Sequence, residues 1–222
     1  MSNGTFPKRL TKIDDLTRPD HSFLTPDETC FFFGEYSARA GYDAGPTNQL
    51  IFNFKKKLER KGKPDWKYKD RSIREAASCF SAALNPEYVK IATLVPMPPS
   101  KAKDDTHHDD RLLRMVKYMT FDVKIDVRQL LLQKGNRDKG AHDGDRPGPD
   151  ALAQIYYVDE KQSKPAPRSI ALFDDLLVTG ASFIAAKRVL QKRFPGIAVT
   201  GFFLARRALL DPAAFFDLIE DF

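Results

Sequence analysis

The stretch Ile170-Ala-Leu-Phe-Asp-Asp-Leu-Leu-Val-Thr-Gly-Ala-Ser182 decides the expected fold of this 222-residue chain. Four apolar residues stand before Asp174 and Asp175, which predicts a buried strand over residues 169–173 that delivers both acids to its carboxyl end. A Thr-Gly-Ala-Ser turn then enters a run with apolar residues at helical spacing, which predicts a helix over residues 182–193. Because ligands of parallel sheets bind outside the carboxyl ends of the strands, the two acids mark a candidate binding site.

The turn after the acids has the composition of an anion pocket. Thr179 and Ser182 supply hydroxyls, and the start of the predicted helix supplies backbone N–H groups and a favourable dipole. Gly180 lacks a Cβ, so the backbone there can approach a phosphate closely. Two acids beside such a pocket suit the hydroxyls of a sugar phosphate, with Mg²⁺ nearby. The alternative is a buried strand and a capped helix with two incidental acids.

Residues 170–182 closely resemble the phosphoribosyl-pyrophosphate (PRPP) binding motif of type I phosphoribosyltransferases. The resemblance implies the α/β fold of that family, with a mainly parallel central sheet flanked by helices. It implies that Asp174 and Asp175 contact the ribose hydroxyls, directly or as ligands of hydrated Mg²⁺. It also implies that the 5′-phosphate is held by the turn, which consists of Val178, Thr179, Gly180, Ala181 and Ser182.

A second segment supports the resemblance. The apolar run over residues 89–95 predicts a buried strand, and it leads into Pro96-Met-Pro-Pro-Ser-Lys101. This loop looks similar to the pyrophosphate-binding loop of competence-protein-F-like members of the family, although the Arg-Gly pair usual in the family's loop is not present. The resemblance implies that Pro99, Ser100 and Lys101 hold the pyrophosphate and that Arg111 reaches it. A connection stiffened by prolines is the alternative.

Residues 133–149 contain glycines, prolines and many charges, which predicts a loop. In position, this loop matches the flexible loop that closes over PRPP in the family. A lid that excludes water needs mobility, and glycines provide it. The resemblance makes its basic side chains candidate phosphate contacts: Lys134, Arg137, Lys139 and Arg146. A solvated charged loop is an equally open alternative.

The rest of the chain predicts one α/β domain with a mainly parallel sheet, because strands alternate with helices. Residues 1–27 are polar and carry three prolines, which predicts a flexible N-terminal arm before a single domain over residues 28–222. The further predicted strands lie at residues 30–36, 123–127 and 197–204. The further predicted helices lie at residues 48–60, from the Ser72 capping box to 84, from 109 or 110 to 119, from 150 to near 157, and from 211 onward.

Composition and charge restrict the partners. The chain has 36 Lys and Arg against 30 Asp and Glu, a net charge of +6, which suits nucleic acid, a nucleotide or a sugar phosphate. No apolar run approaches the ~18 residues of a membrane span and the N-terminus lacks a signal-peptide pattern, so a cytoplasmic protein without a membrane partner is expected. Two cysteines, Cys30 and Cys79, are too few for a disulfide framework or a cysteine-based zinc site. A homodimer is possible.

Two weaker patterns carry alternative functions. The basic run that starts at Lys55 and ends at Lys63, with Trp66 and Tyr68 after it, suits nucleic acid, although a solvated basic helix face is the commoner explanation. His107 and His108 lie among four aspartates in residues 104–110, which suits a metal site or, more often, a solvated loop.

The resemblance implies a reaction. A nitrogen nucleophile attacks C1 of the ribose while Mg-pyrophosphate leaves, and the enzyme holds both reactants in line and stabilises the leaving group. Val178 stands where 6-oxopurine salvage enzymes of the family carry an acid, which disfavours hypoxanthine and guanine. The expected function is therefore phosphoribosyl transfer to an unidentified base or amine. The alternatives are a PRPP or nucleotide sensor without turnover and a nucleic-acid accessory protein for DNA uptake, repair or phage defence.

Overall fold

The computed structural model describes residues 4–136 and 147–209, and all elements below lie in those ranges. The strands are β1 (Thr11–Lys12), β2 (Thr29–Ser37), β3 (Ala92–Pro96), β4 (Asp126–Val127), β5 (Leu131–Gln133), β6 (Tyr156–Val158), β7 (Ser169–Leu177) and β8 (Val199–Ala208). The main sheet has the order β1–β2–β8–β7–β3–β4, and its neighbours pair in parallel except for the antiparallel β1 and β2. A separate antiparallel pair consists of β5 and β6. The predicted α/β class with a mainly parallel sheet is confirmed.

Helices flank both faces of this sheet. They are α1 (Pro46–Phe54), α2 (Lys67–Ala83), α3 (Pro86–Ile91), α4 (Arg111–Tyr118), α5 (Pro149–Ile155) and α6 (Ala181–Arg193). On one face, the ring of Phe80 in α2 meets the ring of Phe173 in β7 edge-on, with 5.1 Å between centroids. On the opposite face, Phe183 of α6 meets Phe203 of β8 at 6.2 Å. Among the described helices, none is long and apolar enough to cross a bilayer.

Aromatic side chains link the sheet to α2. The rings of Phe173 and Phe202 stack across neighbouring strands at 5.4 Å, and Phe80 also contacts Phe33 of β2 at 4.9 Å. Phe80 and Phe173 are fully buried. Burial of each such ring contributes about 1.5–3 kcal/mol, and each aromatic contact adds about 0.5–1.5 kcal/mol. This cluster fixes β7, and with it the candidate site, against the helical layer.

Among the wrong boundaries, two have a clear local reason. The strand predicted from residue 89 begins only at Ala92, because Asn85 caps a short helix by accepting a hydrogen bond from the Glu87 N–H at 2.9 Å. The helix predicted to start at Ser72 begins at Lys67 instead. Ser72 lies inside it and donates its hydroxyl to the Lys69 carbonyl at 2.8 Å, so the capping-box pattern is incidental there.

Residues 4–27, predicted as part of a flexible arm, pack onto the domain. Phe6, Ile13 and Leu24 are buried, and the Ile13 N–H donates to the Cys30 carbonyl at 2.9 Å beside the β1–β2 pair. Isolated apolar residues in a polar stretch show no period, so composition alone did not reveal this packing. The predicted helix over 48–60 ends at Phe54, and the helix predicted from residue 211 lies outside the described residues.

Candidate functional site

The two acids lie inside β7, which continues to Leu177. The sequence prediction ended this strand at residue 173, because charged residues are uncommon in buried strands. The neighbouring strand β3 makes its last pair there, Pro96 with Phe173, and the Met97 N–H donates to the Phe173 carbonyl at 2.8 Å. Asp174 therefore lies where β3 stops, and the loop after β3 starts beside it.

Asp174 and Asp175 face opposite sides of the sheet, as successive residues of a strand do. Asp174 is paired with Phe203, whose ring contacts α6, so Asp174 lies on the α6 face. Asp175 lies on the face covered by α1, α2 and α4. The Asp174 carboxylate is half-buried and accepts a hydrogen bond from the Asp175 N–H at 2.8 Å. The acid pair therefore does not present two carboxylates to a single point.

Asp175 is a buried carboxylate whose two oxygens both accept from cations. Oδ1 lies 3.0 Å from Nζ of Lys55, and Oδ2 lies 2.6 Å from Nη2 and 3.1 Å from Nε of Arg111. Burial alone would raise the pKa of Asp175, but the two cations outweigh it and hold the pKa well below the ordinary value. Asp175 is therefore ionised at neutral pH and already satisfied by protein groups.

These contacts belong to a closed charged ring of Lys55, Lys69, Asp109, Arg111 and Asp175. Arg111 Nη1 and Lys69 Nζ both donate to Asp109 Oδ2, at 2.9 Å and 2.8 Å. The Lys69 ammonium also donates to the carbonyls of Phe54 and Lys56 at 3.0 Å and 2.8 Å. These two residues flank Lys55 in the chain, so the ring is closed through the backbone. Burial lowers the pKa of Lys69, and the Asp109 carboxylate partly offsets that effect.

Sequence reasoning missed most of this ring. It predicted that Arg111 contacts the pyrophosphate but not that Arg111 pairs with Asp109 and Asp175, and it placed Lys55 in a nucleic-acid run. Lys69 and Asp109 were not predicted to contribute. No local signal could have found them, because the members come from separate segments of the chain.

The predicted turn between β7 and α6 is present, and the structure shows a further reason for the glycine in it. Gly180 has a φ of +84°, and a Cβ there would lie 2.8 Å from Cδ2 of Leu24, so only glycine fits. The N-terminal segment packs on the outside of this turn. His21 donates from Nδ1 to the Val178 carbonyl, and the Phe23 N–H donates to the Thr179 carbonyl at 2.9 Å.

These contacts engage the carbonyl groups of the turn and leave part of its donors available. Across residues 4–136 and 147–209, no group accepts a hydrogen bond from the N–H of Gly180 or Phe183. The Ala181 N–H makes a long 3.4 Å contact with Oγ1 of Thr179, and Ser182 lies half-buried in the first turn of α6. The N-terminus of α6 thus retains N–H donors that could bind an anion.

The loop after β3 is fastened to β5. Gln133 donates from Nε2 to the carbonyls of Ser100 and Gly135 at 3.1 Å and 2.9 Å, and the Ala102 N–H donates to Oδ1 of Asn136 at 2.9 Å. Pro99, Ser100 and Lys101 are half-buried, and Lys101 lines a small cavity of about 70 Å³ behind the loop. Their predicted contact with pyrophosphate stays a prediction.

The remaining predicted contacts are dispersed. Lys134 is exposed, with its ammonium 6.0 Å from the centre of the Tyr157 ring. Arg137, Lys139 and Arg146 lie outside the described residues. His107 is 3.5 Å from a Glu59 oxygen, and within the described part of the chain no cluster of three or more His, Cys, Asp or Glu side chains could hold a metal.

The basic run after α1 is partly neutralised by the protein itself. Lys56 and Arg60 pair with Asp65 at 3.0 Å and 2.8 Å, and these contacts lower the pKa of Asp65 to about 2. Both aromatic rings predicted to stack on bases lie beside lysines. Trp66 lies 5.8 Å from the Lys69 ammonium and Tyr68 lies 5.6 Å from the Lys56 ammonium, and their contact with bases stays a prediction.

No protein-family model matches the chain, and no curated protein matches it significantly. The functional proposal therefore rests on the geometry of the residues at the end of β3 and along β7.

Proposed function

We propose that the chain has a type I phosphoribosyltransferase fold, binds PRPP at the edge of the sheet where β3 ends, and transfers its phosphoribosyl group to a nitrogen acceptor. One observation carries this proposal. The loop after β3 and the Gly180 turn after β7 follow neighbouring parallel strands, with Asp174 between them. PRPP has anionic groups at both ends of a ribose, and this arrangement offers a donor set at each side of a carboxylate.

The turn suits the 5′-phosphate. Its N–H donors lie at the N-terminus of α6, a helix of 13 residues, and the hydroxyls of Thr179 and Ser182 are part of the same turn. The contacts from His21 and Phe23 hold the carbonyl side of the turn, so its shape is established before a ligand arrives.

Asp174 suits the ribose hydroxyls. It is half-buried, and it directly follows the last β7 residue that pairs with β3, where the loop after β3 begins. A carboxylate there accepts hydrogen bonds from two adjacent hydroxyls, which orients C1 toward the loop. Lys101, Ser100 and Pro99 in that loop then contact the pyrophosphate, and Lys134 approaches from the end of β5.

Magnesium fits this site only in part. A divalent ion would neutralise the leaving pyrophosphate. Asp175 does not fit as its ligand, because both oxygens already accept from Lys55 and Arg111. Asp174, which is half-buried, is the better candidate of the two acids for contact with Mg²⁺ or its bound water.

In the reaction, the bond between C1 and the pyrophosphate oxygen breaks and a bond between C1 and the acceptor nitrogen forms. The nitrogen then loses its proton to solvent, and the pyrophosphate keeps the electron pair of the broken bond. The residues named above hold the two ends of PRPP in line and stabilise the charge of the leaving group, so no covalent nucleophile from the protein is required.

Calorimetric titration with PRPP and Mg²⁺ tests the proposal. We expect binding by the intact protein and loss of binding in Asp174→Asn, while Asp150→Asn, a change at an exposed carboxylate, serves as the matched control. Pyrophosphate release is then measured with a panel of bases and amines. Failure of the intact protein to bind PRPP would overturn the proposal.

A PRPP sensor without turnover is the second candidate. The observation that favours it is the saturation of Asp175 by two cations, which removes one carboxylate of the acid pair from contact with the ligand. PRPP binding without pyrophosphate release from any acceptor would support the sensor over the transferase.

A further inference from the structure

Lys55 is the member of the charged ring that reaches the surface most. Its side chain is 41% exposed, against 1% for Lys69, 6% for Asp175, 14% for Asp109 and 18% for Arg111. An ion pair between exposed groups contributes little to stability, and the desolvation of a buried pair offsets much of its attraction. Here a buried carboxylate holds an exposed ammonium in place.

The ring also carries a net positive charge. Three cations, Lys55, Lys69 and Arg111, surround the two carboxylates of Asp109 and Asp175, so the balance is +1. In a partly buried setting, charge interacts more strongly than in water, so this excess favours an anion at the accessible end.

The position of Lys55 is fixed from both sides. The buried Lys69 ammonium binds the carbonyls of the residues directly before and after it, Phe54 and Lys56. Arg111 is fixed as well, because two carboxylates hold its guanidinium and the Phe54 ring lies 5.8 Å from it. An anion that binds here meets donors that are already ordered, which reduces the entropy cost of binding.

The ring belongs to the same strand edge as the candidate site. Asp175 directly follows Asp174 in β7, and Arg111 begins the helix that follows the loop after β3. The ring therefore lies beside the end of β3, on the face of β7 opposite Asp174.

We propose that the charged ring is an anion-binding site for a pyrophosphate group, in which Lys55 contacts the ligand in addition to any contact from the loop after β3. Asp175 holds Lys55 and Arg111 in place and is not itself a ligand of ribose or of metal. The protein thus supplies positive charge that would otherwise come from a divalent ion. The pyrophosphate belongs to PRPP if the proposed function holds, on which this identification of the ligand rests, or it is free inorganic pyrophosphate.

Calorimetry with inorganic pyrophosphate in the presence of EDTA tests the site, and PRPP with Mg²⁺ forms the second arm. We expect the intact protein to bind pyrophosphate without a divalent ion. Loss of one charged hydrogen bond should weaken binding about tenfold or more in Lys55→Met. Lys55→Arg should restore most of the affinity, and Lys57→Met, a change at an exposed lysine two residues away, should alter it less than about twofold.

The outcomes separate the two proposals. If Lys55→Met binds both ligands like the intact protein, the ring is structural and this inference is wrong, while the PRPP site can still stand. If the intact protein binds pyrophosphate through Lys55 but does not bind PRPP, the ring site stands and the proposed transferase function fails. If the intact protein binds neither ligand, both proposals fail.

Discussion

Lys69 and Asp109 form a buried ion pair, with 2.8 Å between Nζ and Oδ2, that joins α2 to the residues before α4. The same ammonium ties down the carbonyls of Phe54 and Lys56 at the end of α1. One lysine therefore connects three segments of the helical layer beside the candidate site.

Lys69→Met should destabilise the fold strongly. The change leaves the Asp109 carboxylate and two carbonyls without this donor, and removal of one partner of a buried ion pair costs about 3–5 kcal/mol. Urea denaturation followed by circular dichroism measures the loss. Lys67→Met, at an exposed lysine in the same helix, should stay within about 0.5 kcal/mol of the unmodified protein. Equal stability of the two variants would contradict the structural role of Lys69.

The two neighbouring acids should respond differently to the same change. Asp175→Asn leaves Lys55 and the buried Arg111 without their carboxylate, so we expect a loss of stability of about 3 kcal/mol. Asp174 is half-buried, and an asparagine there can still accept from the Asp175 N–H, so Asp174→Asn should cost less than Asp175→Asn and act mainly on PRPP binding. Denaturation and calorimetry on both single variants measure this contrast, and a reversed order of stability would contradict the opposite-face geometry.

Gly180→Ala should destabilise the protein more than Gly196→Ala. Both glycines have positive φ, +84° and +75°, so both changes carry a left-handed strain of about 1–2 kcal/mol. Only at Gly180 does the new Cβ also meet Leu24, which adds about 1–3 kcal/mol of overpacking, whereas the space around Gly196 is open. Thermal or urea denaturation compares the two. If Leu24→Ala in the Gly180→Ala background restores none of the difference, the packing explanation is wrong.

His21 should make stability depend on pH. Burial lowers its pKa below the model-compound value of 6.5, and its Nδ1 proton is already donated to the Val178 carbonyl. Below pH 6.5 the unfolded chain binds a proton at this histidine that the folded protein does not yet bind, so stability falls as pH decreases and is retained above about pH 7.

Denaturation at several values between pH 5 and 8 measures this effect in the unmodified protein and in His21→Asn. Other groups contribute to the slope in both proteins, so the comparison isolates the histidine. We expect a smaller loss of stability on acidification in the variant. The same slope in both would show that His21 does not titrate differently in the folded and unfolded states.

Local pattern was sufficient for much of the fold. The apolar run before Asp174, the glycine turn and the helix that follows predicted β7 and α6, because each depends on spacing between near neighbours. The parallel character of the sheet followed from the alternation of strands and helices. Local pattern failed at Asn85, which caps a short helix. It also failed in the N-terminal segment, where single apolar residues such as Phe6 and Ile13 are buried in the core without a periodic pattern.

Local pattern was enough to predict an acid pair at the end of a buried strand, followed by a glycine turn and a helix N-terminus. The folded structure was needed to show that Asp174 and Asp175 lie on opposite faces of the sheet and that Asp175 pairs with Lys55, 120 residues away in the chain. The physical reason is that periodicity acts between neighbours in sequence, whereas the energy of an ion pair depends on distance and burial after the chain has folded.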